Sequence, residues 1–152
     1  MEKFSHRKIV FILLAVSFVF LMMGNNIISL THPDEVFYAQ TAKEMLERNN
    51  WIVPYIFDQP QFEKPILTFW LLMIAGKIFG MTAFAMRFWP AAFGMIGVLA
   101  TYWLSWMMFE SKRTAFLSAV ILSTSFIYLV LSRSVLTDMI FSIWVVLALV
   151  SF

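Results

Sequence analysis

Two apolar blocks separated by one polar stretch constrain this chain more than any other feature. Apolar residues dominate from Ile9 to Leu30 and again from Ile66 almost to Asp138. Between them, Thr31–Pro65 opens with Thr31-His32-Pro33-Asp34-Glu35 and closes with Phe62-Glu63-Lys64-Pro65. Of the 152 residues, 61% are hydrophobic and only 13% charged, more apolar surface than a soluble domain of this size can bury. The expectation is an all-α integral membrane protein, a multi-span helical bundle. Charges held so close to a membrane are costly and mark the polar stretch as functional. The chain has no cysteine, so it has neither disulfides nor thiolate chemistry. Its net charge of +2 comes from scattered Lys and Arg, not the basic footprint of a nucleic-acid binder.

The apolar runs predict spans over 9–30, 88–109, 114–131 and 139–152, with an extracytoplasmic loop over 31–87. Lys3, Arg7 and Lys8 precede the first span and place the N-terminus in the cytoplasm. That span is too long for the apolar region of a signal peptide, and it reads as an uncleaved anchor. Pro33 suits a helix start, and Val36, Ala39, Ala42, Met45 and Leu46 recur at helical spacing. Residues 34–48 therefore read as an amphipathic helix on the membrane surface, ended by Asn49-Asn50, with Trp51–Tyr55 extended. Ile66–Phe79 is apolar but short. If it crossed, the basic loop Glu110-Ser111-Lys112-Arg113 would lie outside, so it reads as a surface or re-entrant helix. Asp34, Glu63, Lys64 and Asp138 then share one face of the membrane. Met139–Phe152 stops without a polar flank, as if cut within a helix, and the chain reads as a piece of a longer protein.

Each candidate residue has two readings on sequence alone. Asp34 and Glu35, about 100° apart on a helix, are either first-turn acids favoured by the dipole or a surface general base and its neighbour. Tyr38 and Thr41 share the face of Asp34. Glu63-Lys64-Pro65 is either an exposed ion pair or a phosphate-binding lysine beside a metal-ligating or orienting acid. Arg133 is either a snorkelling side chain or a ligand-binding one, and Asp138 a helix cap or a rigidly held acid. His6 and His32 form no metal site.

In order along the chain come Asp34-Glu35-Val36-Phe37-Tyr38-Ala39, Trp51-Ile52-Val53-Pro54, Phe62-Glu63-Lys64-Pro65-Ile66-Leu67, Arg87-Phe88-Trp89-Pro90 and Leu136-Thr137-Asp138. This series resembles the N-terminal part of the membrane glycosyltransferases related to protein O-mannosyltransferases and aminoarabinose transferases. The resemblance implies a truncated GT-C fold with amphipathic juxtamembrane helices in the first extracytoplasmic loop. It implies transfer of a sugar from a polyprenyl-phosphate donor to a lipid, glycan or protein acceptor, on the outer side of the plasma or inner membrane. In that reading Asp34 and Asp138 are catalytic, Lys64, Glu35, Tyr38 and Arg133 bind substrate, and Glu63 is a ligand for a divalent metal ion. Ile66 stands where the family's motif has a second proline, and family members are several times longer, so the chain alone is expected to be inactive. The alternative is a small membrane scaffold or transporter subunit. Transport is disfavoured because the ionisable groups lie at the ends of the spans.

Overall fold

The computed structural model describes residues 5–151. The topology signal at Lys3 and the last residue of the expected span 139–152 lie outside the described residues. The described residues form seven α-helices and one two-stranded hairpin, in the order α1 (His6–Ser17), α2 (Pro33–Glu47), β1 (Tyr55–Ile56), β2 (Gln59–Pro60), α3 (Ile66–Phe79), α4 (Ala83–Phe109), α5 (Lys112–Thr124), α6 (Phe126–Ser132) and α7 (Thr137–Ser151).

α1 runs into a single π-helical segment, Phe18–Met22. The Ser17 hydroxyl donates to the carbonyls of Leu13 and Leu14 and competes with the helical ladder where the pitch widens. The helix stops at Met22, well short of the expected Leu30. Gly24 adopts φ +79°, a left-handed backbone, and the buried Asn25 donates from Nδ2 to the Leu21 carbonyl at 3.0 Å. Ile27 and Ile28 prolong the apolar run without prolonging the helix, and both side chains are exposed.

α4 is the axis of the bundle and packs against α1, α3, α5, α6 and α7. Thr82 caps it, with its hydroxyl accepting from the Ala85 N–H at 3.2 Å. The helix therefore begins at Ala83 rather than at the expected Phe88. Its 27 residues extend about 40 Å. Among the described residues it is the one helix long and apolar enough by itself to cross a membrane. The expected span 114–131 is broken: Ser125 is extended (ψ 130°), and α5 and α6 meet at 64°. Before the break, the Ser123 and Thr124 hydroxyls both donate to the Val120 carbonyl. α3 occupies Ile66–Phe79, as the apolar run predicts. Its 14 residues extend only about 21 Å. At Gly97 the helices come so close that a Cβ would overlap Ile143 and the Tyr128 hydroxyl. That hydroxyl donates to the Gly94 carbonyl at 2.6 Å.

Two apolar clusters form the interior. One joins α1, α4 and α5 through Ile9, Leu13, Val98, Tyr102, Ala115 and Ala119. The other joins α2, α3, α4 and the approach to α7 through Tyr38, Met45, Phe69, Leu72, Met86 and Val135. The second cluster fixes the polar stretch on the bundle.

α2 ends as its Asn-Asn predicts. Asn49 is left-handed (φ 49°), its N–H bonds the Leu46 carbonyl, and the Asn50 N–H bonds the Met45 carbonyl. Of the stretch Trp51–Tyr55 expected to be extended, residues 51–53 form bends and only Tyr55 enters a strand, β1 of a hairpin whose turn residues, Phe57 and Asp58, both have positive φ, the geometry of a type I′ turn. Glu44 docks the hairpin on α2. Its carboxylate accepts from the Phe57 N–H at 2.9 Å, the Asp58 N–H at 3.3 Å and Gln40 Nε2 at 2.8 Å. Arg48 pairs with Asp58 and covers the Tyr55 ring. Burial pushes the Glu44 carboxyl up, but these hydrogen bonds and the Arg48 charge outweigh it and hold the pKa below the ordinary glutamate value. A carboxyl depressed in the folded state stabilises the dock above its unfolded pKa, and the contribution is lost as pH falls through the folded pKa. A nitroxide at Gln59→Cys should therefore be immobile at neutral pH and gain mobility below the ordinary glutamate range in electron paramagnetic resonance. In the Glu44→Gln background it should be mobile throughout.

Candidate active site

A buried ion pair organises the end of the bundle that carries the polar stretch. Glu35, in the first turn of α2, and Arg87, in the second turn of α4, are 4% and 7% exposed. They meet as a two-pronged fork, Arg87 Nε to Glu35 Oε1 at 2.9 Å and Nη2 to Oε2 at 2.7 Å. Nη1 donates to the carbonyls of Asn25 (3.1 Å) and Ile28 (2.6 Å), and Nη2 also donates to that of Ser29 (3.3 Å). All the guanidinium N–H groups are thus used, three of them on the loop left open by the early end of the first helix. Glu35 Oε1 also accepts from the Val135 N–H at 3.1 Å, tying α2 to the turn before α7.

Asn25 links this pair to Arg133. Its backbone carbonyl accepts from Arg87, and its Oδ1 accepts from Arg133 Nε at 3.0 Å. Arg133 also donates to the carbonyls of Phe20 (3.3 Å) and Met23 (2.9 Å), at the helix end where cations are favoured.

Around this frame the structure brings together three helix starts. Pro33 at the first helical position and His32 as N-cap begin α2, and the His32 ring accepts from the Asp34 N–H at 3.4 Å. Asp34 is exposed, 3.5 Å from His32 Nδ1. One turn on, Tyr38 is buried against Phe69 of α3. The Lys64 ammonium lies 6.0 Å from the Tyr38 ring centroid, just before Pro65 caps α3. Ile66 and Leu136 pack on the same buried cluster as Tyr38 and Val135, which brings the starts of α3 and α7 to it. Asp138 is exposed in the first turn of α7, three residues beyond the Val135 that Glu35 holds. Asp34, Lys64 and Asp138 thus project from elements joined by one cluster and one ion pair. The arrangement can present a carboxylate base, a phosphate-binding cation and a second acid to one surface.

The remaining expected site residues sit differently. Glu35 is sealed in the ion pair, and Arg133 is engaged with Asn25 and two carbonyls. Glu63 is exposed, and among the described residues no three His, Asp or Glu side chains gather as a metal site. Arg87 and Asn25 are the organising residues to which sequence reasoning gave no role. The signal for Arg87 is a lone arginine in an apolar helix inside Arg87-Phe88-Trp89-Pro90. Asn25 has no comparable signal.

The model of the family described as dolichyl-phosphate-mannose-protein mannosyltransferase matches residues 8–152. The chain belongs to this family. It is 39% identical over 125 residues to the undecaprenyl phosphate-alpha-4-amino-4-deoxy-L-arabinose arabinosyl transferase of Erwinia tasmaniensis, covering 82% of this chain and 22% of that protein. To the enzyme of the same name from Yersinia pestis it is 33% identical over 141 residues, covering 92% of this chain and 26% of that one. The chain thus spans about a quarter or less of the length of these relatives. The fold matches the crystal structure of ArnT from Cupriavidus metallidurans bound to undecaprenyl phosphate, with a TM-score of 0.84 at 21% identity. That match covers 96% of this chain and 27% of the ArnT chain. The fold is therefore the GT-C fold of membrane glycosyltransferases over its matched part, as the motif series implies.

Removing one partner of a buried pair leaves an uncompensated charge, at a cost of about 3–5 kcal/mol. Arg87→Met and Glu35→Leu should each lower the unfolding temperature in detergent sharply. The double variant should lose less than the sum of the two. An additive loss would show that the pair does not act as a unit.

Proposed function

We propose that this chain provides the acceptor base and donor-phosphate contact of an inverting glycosyltransferase that uses a polyprenyl-phosphate sugar. The observation that carries the reading is that Glu35 and Arg87 lock the starts of α2 and α7 to α4 while the Tyr38 cluster packs the start of α3 beside them, so that the elements bearing Asp34, Lys64 and Asp138 lie together, in a chain of this family. The relatives are undecaprenyl phosphate-alpha-4-amino-4-deoxy-L-arabinose arabinosyl transferases, which favours an undecaprenyl-phosphate-linked amino-arabinose as donor. The acceptor is a hydroxyl-bearing lipid, glycan or protein.

Asp34 takes the proton of the acceptor hydroxyl as its oxygen attacks the anomeric carbon. The bond from that carbon to the carrier phosphate breaks, and its electron pair leaves on the phosphate oxygen. Lys64 stabilises the charge gathering there. Asp138, held at a helix start, orients the acceptor or the sugar. Exposed Asp34 keeps an ordinary carboxylate's access to the acceptor, while its neighbour Glu35 is fixed and holds the helix start in place. Glu35, Tyr38 and Arg133, expected to bind substrate, support the site from behind in this reading. The multi-span arrangement is part of the proposal, as is the outward-facing site in the plasma or inner membrane. It is supported by the length of α4 and by the basic Lys112-Arg113 loop at its far end.

Two measurements test this. In the protein at the length of its relatives, Asp34→Asn should cut sugar transfer by about 10²–10⁴-fold while the unfolding temperature holds, since the amide keeps the shape but takes no proton. Wild-type rates in that variant would remove Asp34 as the base. Single cysteines at 84 and 112, introduced into a chain with no native cysteine, should react oppositely with an impermeant reagent in intact cells. Labelling at 84 and protection at 112 is expected, and the reverse pattern would overturn the orientation.

A further inference from the structure

The β1–β2 hairpin is held to the molecule by polar contacts rather than by the core. Its strands are two residues each, and a ribbon that short does not stand alone. Its apolar residues do not seal it. A cavity of about 210 Å³ separates Ile56 and Phe57 from Pro33, Val36, Phe37 and Gln40 in the first turns of α2, and Phe57 is 76% exposed. Two groups of bonds fix the hairpin instead. At its base, Asn50 Oδ1 accepts from the Ile52 and Val53 N–H groups, and α3 holds Trp51 through Trp70 Nε1. At its tip, Glu44 Oε1 accepts from the Phe57 N–H and from Gln40, Oε2 accepts from the Asp58 N–H, and Arg48 pairs with Asp58. Glu44 is buried whereas the Arg48–Asp58 pair is exposed, so Glu44 is the stronger hold.

The tip is coupled to Lys64 by the chain that leaves it. After β2, the Gln61 N–H donates to the Pro54 carbonyl at 2.9 Å and extends the ladder by one residue. Phe62, Glu63 and Lys64 then bridge to Pro65, which caps α3. Pro60 and Pro65 each fix φ, and the residue before a proline is confined to extended backbone. The bridge is therefore a short strap between two anchors, the hairpin and the start of α3. Phe62, Glu63 and Lys64 are all exposed. Among the described residues the Lys64 ammonium meets the Tyr38 ring at 6.0 Å and has neither an acid nor a hydrogen-bond acceptor. Nothing inside the strap directs Lys64, so the two anchors do. One is the apolar cluster on which Ile66 packs, and the other is the hairpin that Glu44 holds.

We propose that Glu44 is a positioning residue for sugar transfer: by holding the hairpin tip through the Phe57 and Asp58 amides, it sets where the strap presents Lys64. The inference rests on the reading of Lys64 as the donor-phosphate contact. Glu44→Gln keeps the size of the side chain, but whichever way the carboxamide lies, its NH₂ faces an N–H that needs an acceptor, and the tip comes free. A nitroxide at Phe62→Cys should gain mobility in the Glu44→Gln protein with no donor present. In the protein at the length of its relatives, with undecaprenyl-phosphate-linked amino-arabinose as donor, Glu44→Gln should lower kcat/KM about tenfold. In a Lys64→Ala background the same change should cost little more, because Glu44 acts through Lys64. Arg48→Met, a milder lesion at the same tip, should give a smaller loss with the same dependence on Lys64, and it serves if Glu44→Gln does not fold. A general loss of stability would lower kcat/KM equally in both backgrounds, so equal losses overturn the proposal. An unchanged kcat/KM, or an unchanged label, in the Glu44→Gln protein also overturns it and leaves the reading of Lys64 standing. If Lys64→Ala by itself leaves kcat/KM at the wild-type value, the donor contact is wrong and the role of Glu44 falls with it.

Discussion

The Glu35–Arg87 pair is the interaction on which the rest of this structure depends. A charge in an apolar bundle is tolerated only when its partners are close and complete. Here the guanidinium is saturated by a carboxylate and three carbonyls, and the carboxylate takes a backbone N–H as well. That one contact set joins α2, α4, the loop after the first helix and the turn before α7. The elements it joins are far apart in sequence, with Glu35 and Arg87 separated by 52 residues and Glu35 and Val135 by 100. Such an anchor fixes the site's geometry because each arm is short and directional, whereas the surrounding apolar contacts are not directional.

The early end of the first helix follows from the same logic. A helix end leaves its last carbonyls without helical partners, and they must find donors. Asn25 and Arg133 supply them for the residues up to Met23, and Arg87 supplies them for the loop beyond. The bundle thus uses its cations to close a helix end as well as to hold an acid. The hairpin shows the same economy on a smaller scale. Glu44 satisfies both turn amides, while Trp51 is fixed from α3 by Trp70 Nε1 donating to its carbonyl at 2.6 Å and by Lys77 over its ring.

The site divides the acids by exposure. Adjacent on α2, Asp34 and Glu35 point to different surroundings, one to solvent and one to the interior. The exposed acid lies at the surface beside His32, and the buried one anchors the helix start that carries it. Membership of the mannosyltransferase family gives these positions a chemical context.

By itself the sequence determined the class and most of the punctuation. Pro33 at a helix start, Asn49-Asn50 at a helix end and the short Ile66–Phe79 helix are local properties, set by transfer free energy and backbone conformation, and each is where its residues predict. The ordered motifs likewise placed Asp34, Lys64 and Asp138 as the residues to watch. Tertiary structure alone decided that the first helix ends at Met22 and that the 114–131 run breaks at Ser125. In each case hydroxyl, amide or guanidinium groups compete for backbone carbonyls, a competition that apolarity does not report. It also decided that Glu35 is a buried strut and that Arg87 and Asn25 hold the site. Those roles consist of contacts between residues dozens of positions apart, and a one-dimensional pattern carries no record of which distant donor meets which acceptor.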